Sequence, residues 1–487
     1  MQPNAQTKPT YEELEARVLF LEFEMDKLRR MIFGQKRERF VPVVNPEQLD
    51  IPLDDQRPET VPVQVETVSY TRKKKQTKTP HGRNPIPAHL PRTDIIIEPD
   101  QDVSDLKKIG DEVTEKLEYE PGKMYVNRYI RPKYALPQNE GVIIADLPTR
   151  PIEKGIAGPG LLSHILVSKY VDHLPLYRQR QQFKRHGVTL PLSTLTDWVK
   201  QSADLLTPLY NELKSRLLTE HYLQADESPI KVLDSMKKGS THLGYMWVYH
   251  SPLQGLVLFD YRRGRSRAGP NEMLRDFSGY LQTDAYAGYN EITTQSNVAA
   301  VGCFAHARRK FKDAQAVDSQ RADWMLSHIQ QLYAIEDQAR TEELDHDARY
   351  RLRETYALPT LTEIKSWLDE QSRHVLPKSA MGKAIGYALT QWPRLIRYTE
   401  HGQLEIDNNL IENLIRPLAI GRKNYLFAGS HAGARRAAII YSLVATAKKH
   451  DVEPLAYLKD VIARIADHPF KQLHLLLPSH WTPADGE

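Results

Sequence analysis

The sequence predicts a mixed α/β domain set between helical flanks. Three observations carry this expectation. The segments HYLQADESP, THLGYMWVYHSPLQGLVLFDYRRG, LQTD and NVAAVGC are apolar, rich in β-branched and aromatic residues, and bounded by turn signals, so they read as five strands. GPNEMLRDFSG and FAHARRKFKDA have helical spacing and fall between and after those strands. The resulting order is strand, strand, strand, helix, strand, helix, strand, helix, with a helical turn around residues 286–290. That is the order of an RNase H-like sheet, here over residues 221–313.

The 487 residues exceed what one hydrophobic core usually organises, so two to four structural units are expected. Hydrophobic residues make up 40% and charged residues 26%, the proportions of a soluble protein. A net charge of +4 excludes a generally basic chain, and the basic residues are clustered instead, as phosphate binding requires. The single cysteine, Cys303, excludes an internal disulfide and suits a reducing compartment. No signal-peptide pattern opens the chain and no run of about 18 apolar residues occurs. The expectation is a cytoplasmic, nucleoid-associated protein with no membrane partner.

In chain order, residues 1–35 carry Leu14, Val18, Leu21, Met25, Leu28 and Ile32 at alternating spacings of four and three, the rhythm of a coiled coil. Residues 11–32 would either join protomers or dock as one amphipathic helix on the body. Residues 36–92 form a Pro-rich basic linker, with nine prolines from Pro42 to Pro91 and too few apolar residues for a core. Its run Arg72, Lys73, Lys74 and Lys75 suits phosphate contact rather than base reading, or a solvated surface. Residues 93–150 alternate around turn signals and predict a small β-rich domain; lacking cysteine, it cannot be a cysteine zinc finger. Residues 151–220 read as consecutive helices. The turn His186-Gly187-Val188, with Ser193 as an N-cap, has a helix-turn-helix outline whose core would be Phe183, Val188, Leu195 and Trp198. It serves either DNA reading or plain scaffolding. Residues 314–402 are a helical insertion, residues 403–436 return to the core domain, and residues 437–487 are terminal helices.

The chemistry lies in carboxylates. Asp226 and Asp284 fall at predicted strand ends, where sheets of this class place ligand-binding residues. Glu412 stands four residues before Arg416, on the same side of a predicted helix. Phosphodiester chemistry needs charge stabilised on an attacking and a leaving oxygen, which two divalent ions shared by carboxylates supply. Mg2+ (or Mn2+), two per active site, asks only for a few oxygen ligands. Each acid also has an ordinary reading: turn residues for Asp226 and Asp284, and a capping box with Asn409 for Glu412, with Asp407 as its rival for third ligand. Arg262, Arg263 and Arg265 follow the third strand, and Arg308, Arg309 and Lys310 follow the fifth. Arg416, Arg422, Lys423, Arg435 and Arg436 surround the glutamate. These side chains, and His306 near the cleft, are candidate nucleic-acid contacts. Cys303 with His306 is half a zinc site, so no zinc is expected, and a buried thiol beside a positioned histidine is the preferred reading.

ADESPIKVL, LQTDAYAGY, CFAHARRKF, ENLIRP and IGRKNYLFAGS together resemble the transposases of the insertion-sequence family numbered sixty-six, a bacterial DDE transposase family, over nearly the whole chain. The resemblance places that family's two aspartates on Asp226 and Asp284, its glutamate on Glu412, and its Cys-x-x-His pair on Cys303 and His306. It implies metal-dependent cleavage at the ends of a DNA element and strand transfer into target DNA. It also implies small accessory proteins encoded by the same element. Relatives usually carry paired cysteines in the small β-rich domain. Here Leu136 and Asn139 replace the second pair and residues 98–105 hold none, so the zinc-finger domain is a cysteine-less version. The competing functions are an RNase H-like nuclease without strand transfer and a DNA-binding protein without catalysis.

Overall fold

The computed structural model describes residues 149–484 apart from 154 and 234–238, and before them residues 122, 124–130, 133–135 and 142–144. The chain divides into two units, Met1–Glu120 and Pro121–Glu487, and all described residues belong to the second. The coiled-coil reading of residues 1–35, the linker with Arg72, Lys73, Lys74 and Lys75, and most of residues 93–148 therefore lie outside the described residues.

Strands β1 (Lys133–Ala135) and β2 (Val142–Ile144) pair antiparallel. Residues 124–130 were expected to join such pairing, but they have no strand partner among the described residues. Tyr125, Val126, Tyr129 and Ile130 are exposed. Alternation of apolar residues makes a strand only where neighbours accept the ladder and cover a face.

Helix α1 (Pro159–Tyr170) starts on a proline whose fixed φ suits the first turn. α2 (Leu176–Arg185) and α3 (Leu192–Leu217) are separated by a turn in which Gly187 takes φ +80°, a value open to glycine at little cost. Ser193 lies inside α3 rather than capping it, and Pro191 holds the cap position without a side-chain bond. Leu195, Val199, Ala203, Leu206, Leu209, Leu213 and Leu217 recur at three or four residues and bury one stripe of α3 along its length.

The sheet follows. β3 (Tyr222–Leu233), β4 (Thr241–Ser251) and β5 (Leu256–Arg262) form an antiparallel meander. α4 (Ala268–Met273) leads to β6 (Gly279–Gln282). A 3-10 turn and α5 (Asn290–Thr293) lead to β7 (Val298–Val301), and α6 (Phe304–Ala314) closes the run. The spatial order is β5-β4-β3-β6-β7, with β6 and β7 parallel to β3. This is the RNase H-like arrangement. One expectation is corrected: Asp226 does not end its strand. β3 runs on to Leu233 because β4 pairs with it from Gln224 onward, whereas β6 pairs only with Tyr222, Leu223 and Gln224. Asp226 therefore sits where the sheet parts from β6, beside an opening rather than at a terminus.

The insertion comprises α7 (Ser319–Thr341), α8 (His346–Leu352), a π-turn at Arg353–Ala357, α9 (Leu358–Gln371) and α10 (Ala380–Leu395). It builds its own apolar cluster with Val301, Phe304 and Phe311. α11 (Asn409–Tyr425) then returns to the sheet. Beyond it, Ala428 exchanges backbone bonds with Lys231 and Leu233 at the far end of β3. α12 (His431–Lys449) lies on β5, where Ser442 and Thr446 hydroxyls accept the Phe259 and Val257 N–H groups at 2.8 and 3.1 Å. α13 (Pro454–Arg464) covers α1. Among the described residues no helix is long and apolar enough to cross a membrane.

Candidate active site

The three acids are brought to one region by three different elements. Asp226 projects from β3, Asp284 from the loop after β6, and Glu412 from the first turn of α11. Asp226 is held by the N–H of Glu227, which donates to its Oδ1 at 2.7 Å. Burial, then the charges of Asp284, Glu227 and Glu412, push its carboxyl from the ordinary 3.8 up to about 8. Three separate stretches of chain thus load negative charge onto one half-buried oxygen pair.

Asp284 accepts the Tyr286 N–H at 2.9 Å, and Ala285 between them takes φ +67°, a strained value for a residue with a Cβ. The turn reading holds for Asp284, and the turn bond uses one of its oxygens. For Glu412 the capping-box expectation is corrected. Asn408 occupies the cap position and Asn409 is the first helical residue. The Asn409 N–H is taken at 3.0 Å by Asp407, whose other oxygen accepts from Tyr333 at 2.6 Å and from the Asn409 amide at 2.8 Å. Asp407 is thus buried and bonded just before the helix, and Glu412 follows in the first turn. His306 stands beside it, with Nε2 at 4.0 Å from Glu412 Oε1 and Nδ1 at 3.2 Å from the buried Cys303 sulfur.

Among the described residues no three His, Cys, Asp or Glu side chains stand at metal-ligating spacing. The carboxylates are coupled through their fields and not through shared contact. Hard oxygen donors that raise one another's proton affinity nevertheless suit Mg2+ or Mn2+, and carboxylates without a cysteine–histidine set suit neither zinc nor a soft metal.

The basic candidates divide into two groups. Arg262 is engaged by Asp260 at 2.7 Å and Glu272 at 2.6 Å. Arg265 is engaged by Glu227 at 2.5 Å, with its guanidinium 3.9 Å from the centre of the Tyr286 ring. Arg422 donates to the Pro229 carbonyl, and Arg436 meets Asp204 at 3.4 Å. These four hold the protein to itself. Arg263, Arg308, Arg309, Lys310, Arg416, Lys423 and Arg435 are exposed on the surface. The sequence reading missed Gln224 and Gln282, fully buried beneath the acids, although both stand in the same tetrad, LQAD and LQTD.

A parted RNase H-like sheet with two aspartates and a helical glutamate around the opening defines the DDE class of DNA-breaking and DNA-joining enzymes. Comparison with known proteins gives the family. The model described as the IS66 family transposase matches residues 154–436. The model described as transposase C of IS166 homeodomain matches residues 21–95, and the IS66 C-terminal element matches residues 442–479. The zinc-finger binding domain of the IS66 transposase matches residues 101–137, a stretch without cysteine. The first match spans more than half of the chain, which belongs to the IS66 transposase family and is a DDE-type transposase. Two uncharacterized proteins of Sinorhizobium fredii are similar over almost their full lengths. One, y4jD, is 32% identical, with 96% of each chain covered. The other, y4qI, is 32% identical over 98% of this chain and 92% of its own. No solved structure matches. Membership implies catalysis that depends on a divalent metal.

Proposed function

We propose that Asp226, Asp284 and Glu412 hold two Mg2+ or Mn2+ ions and that the site cuts the ends of a mobile DNA element and joins them to target DNA. The observation that supports this is that three separate elements bring Asp226, Asp284 and Glu412 within each other's fields: burial first, and then charge that includes Asp284 and Glu412, pushes the Asp226 carboxyl up to about 8. Bound divalent ions would supply charge stabilisation at the attacking and leaving oxygens. The chain's own residues do the rest. The carboxylates fix where the scissile phosphate lies. Exposed Arg263, Arg308, Arg309, Lys310, Arg416, Lys423 and Arg435 hold flanking phosphates of double-stranded DNA. In cleavage, water attacks phosphorus in line and the P–O3′ bond breaks, leaving a free 3′-hydroxyl. In transfer, that hydroxyl attacks a target phosphate and displaces the target's own 3′ oxygen, so one bond forms as one breaks. Residues 11–32 pair protomers so that two ends are held together, accessory proteins of the same element assist, and the complex works on the nucleoid in the cytoplasm.

The test is an assay with DNA flanking the gene as donor, a supercoiled plasmid as target, and Mg2+. Asp226→Asn, Asp284→Asn and Glu412→Gln each lower both cleavage and joining by on the order of 10³-fold or more while DNA binding persists. Cut ends without joined product would reassign the protein as a nuclease. Undiminished joining by Asp226→Asn would overturn the assignment of that acid.

A further inference from the structure

β3 and β6 run parallel with Leu223 opposite Leu281 and Gln224 opposite Gln282, so the two LQxD tetrads lie in register. Strand alternation puts Gln224 on the same face as Asp226, two residues on. Gln282 precedes Asp284 by the same two residues. Both glutamines are fully buried, where an unpaired amide is costly, and apart from the contact of His250 on β4 with Gln224 Oε1 at 3.4 Å their bonds link parts of the acid site. The Gln224 amide donates to Gln282 Oε1 at 2.8 Å and to the Asp407 carbonyl at 3.2 Å. The Gln282 amide donates to the Gly302 carbonyl at 2.9 Å and the Glu405 carbonyl at 2.8 Å. Tyr222 donates to Gln282 Oε1 at 2.5 Å and accepts the Glu405 N–H at 3.2 Å.

This network ties together the strand of Asp226, the strand leading to Asp284, and the segment that starts the helix of Glu412. At Gly302 it also reaches the chain just before Cys303 and His306. An apolar floor would join the two strands equally well. Side-chain amides, each with two donors, reach from both strands to the carbonyls of the 405–407 segment, where the Tyr222 hydroxyl meets only the Glu405 N–H.

Resting on the functional reading above, we infer that Gln224 and Gln282 are positioning residues: a paired amide floor that ties together the elements bearing Asp226, Asp284 and Glu412 and so supports divalent-cation binding. Neither glutamine touches substrate or cation in this role.

The experiment uses the full chain freed of metal, with Mn2+ as probe, followed by calorimetry and by electron paramagnetic resonance of free Mn2+. Gln224→Met and Gln282→Met keep side-chain length and remove the bonds. Each is expected to weaken Mn2+ binding by about tenfold or more, as loss of groups that orient metal ligands does. Hydrogen exchange should quicken in the peptide spanning residues 404–412 and stay unchanged in β5 and α12. Leu458→Ala, in the buried core of α13, serves as a variant destabilised away from the site. It should leave Mn2+ affinity at the wild-type value. Wild-type affinity in both glutamine variants would overturn the inference alone, as would equal weakening in Leu458→Ala. A wild-type chain that binds no Mn2+ would overturn the functional reading and this inference with it.

Discussion

Asp226 bears the largest consequence of any single residue. Its carboxyl, raised from 3.8 to about 8, keeps a proton in the folded chain that the unfolded chain has already released. Between those values the folded state binds more protons, so its stability falls as pH rises, and above about 8 the loss is complete, on the order of a few kcal/mol. Asp226→Asn removes that penalty. In chelator at pH 8 the variant should melt a few degrees above the wild type, and at pH 4 the two should melt together. A gain of equal size at both pH values would show that charge is not its cause. Divalent cations should raise the wild-type melting temperature and leave that of Asp226→Asn nearly unmoved. The same residue would thus lower stability and be required for activity, as acids gathered for catalysis commonly do.

At the scale of elements, the insertion is fastened to the start of α11 by buried charge. Glu336 on α7 and Arg353 in the π-turn are fully buried, with Glu336 meeting Arg353 at 2.8 Å and Arg349 at 2.6 Å. Arg349 also meets Glu405 at 2.9 Å, and Arg353 donates to the carbonyls of Tyr398, His401 and Leu404. Burial raises the Glu336 carboxyl, but hydrogen bonds and charge from the two arginines more than offset this and hold it below the usual range. Removing Arg353 leaves Glu336 with Arg349, but removing Glu336 strands Arg353 without a carboxylate. Glu336→Leu should cost about 3–5 kcal/mol in denaturant unfolding. Adding Arg353→Leu to it should recover part of that loss, because Arg349 keeps Glu405 and no unpaired buried charge remains. A double variant less stable than Glu336→Leu would show that the carbonyl bonds of Arg353 outweigh the cost of its charge.

At the scale of the whole molecule, catalysis on two DNA ends asks for more than one protomer, and the heptads of residues 11–32 are the segment suited to supply the pairing. Deleting residues 1–35 should lower the mass seen by light scattering and abolish joining of paired ends while single-end cleavage persists. An unchanged mass would assign self-association to another surface. Much of this organisation was legible in the chain: the strand order and the helical insertion follow from periodicity and turn residues, and the three acids proposed for the site come from motif wording. The position of Asp226 was misplaced, because pairing by β4 extends β3 past the point where β6 leaves it, and ladder partners are not written in a strand's own residues. The repeated LQxD was visible as text, yet its meaning depends on a parallel register between residues 58 positions apart. The internal partners of Arg262, Arg265, Arg422 and Arg436 could not be read from the sequence, because they come from other segments or from the turn of the backbone. By itself the sequence determined the class of chemistry, since carboxylates and basic residues carry their charge wherever they lie. The tertiary structure alone decided which of them share a field, because electrostatic coupling depends on distance and burial, and both arise only when separate segments are packed together.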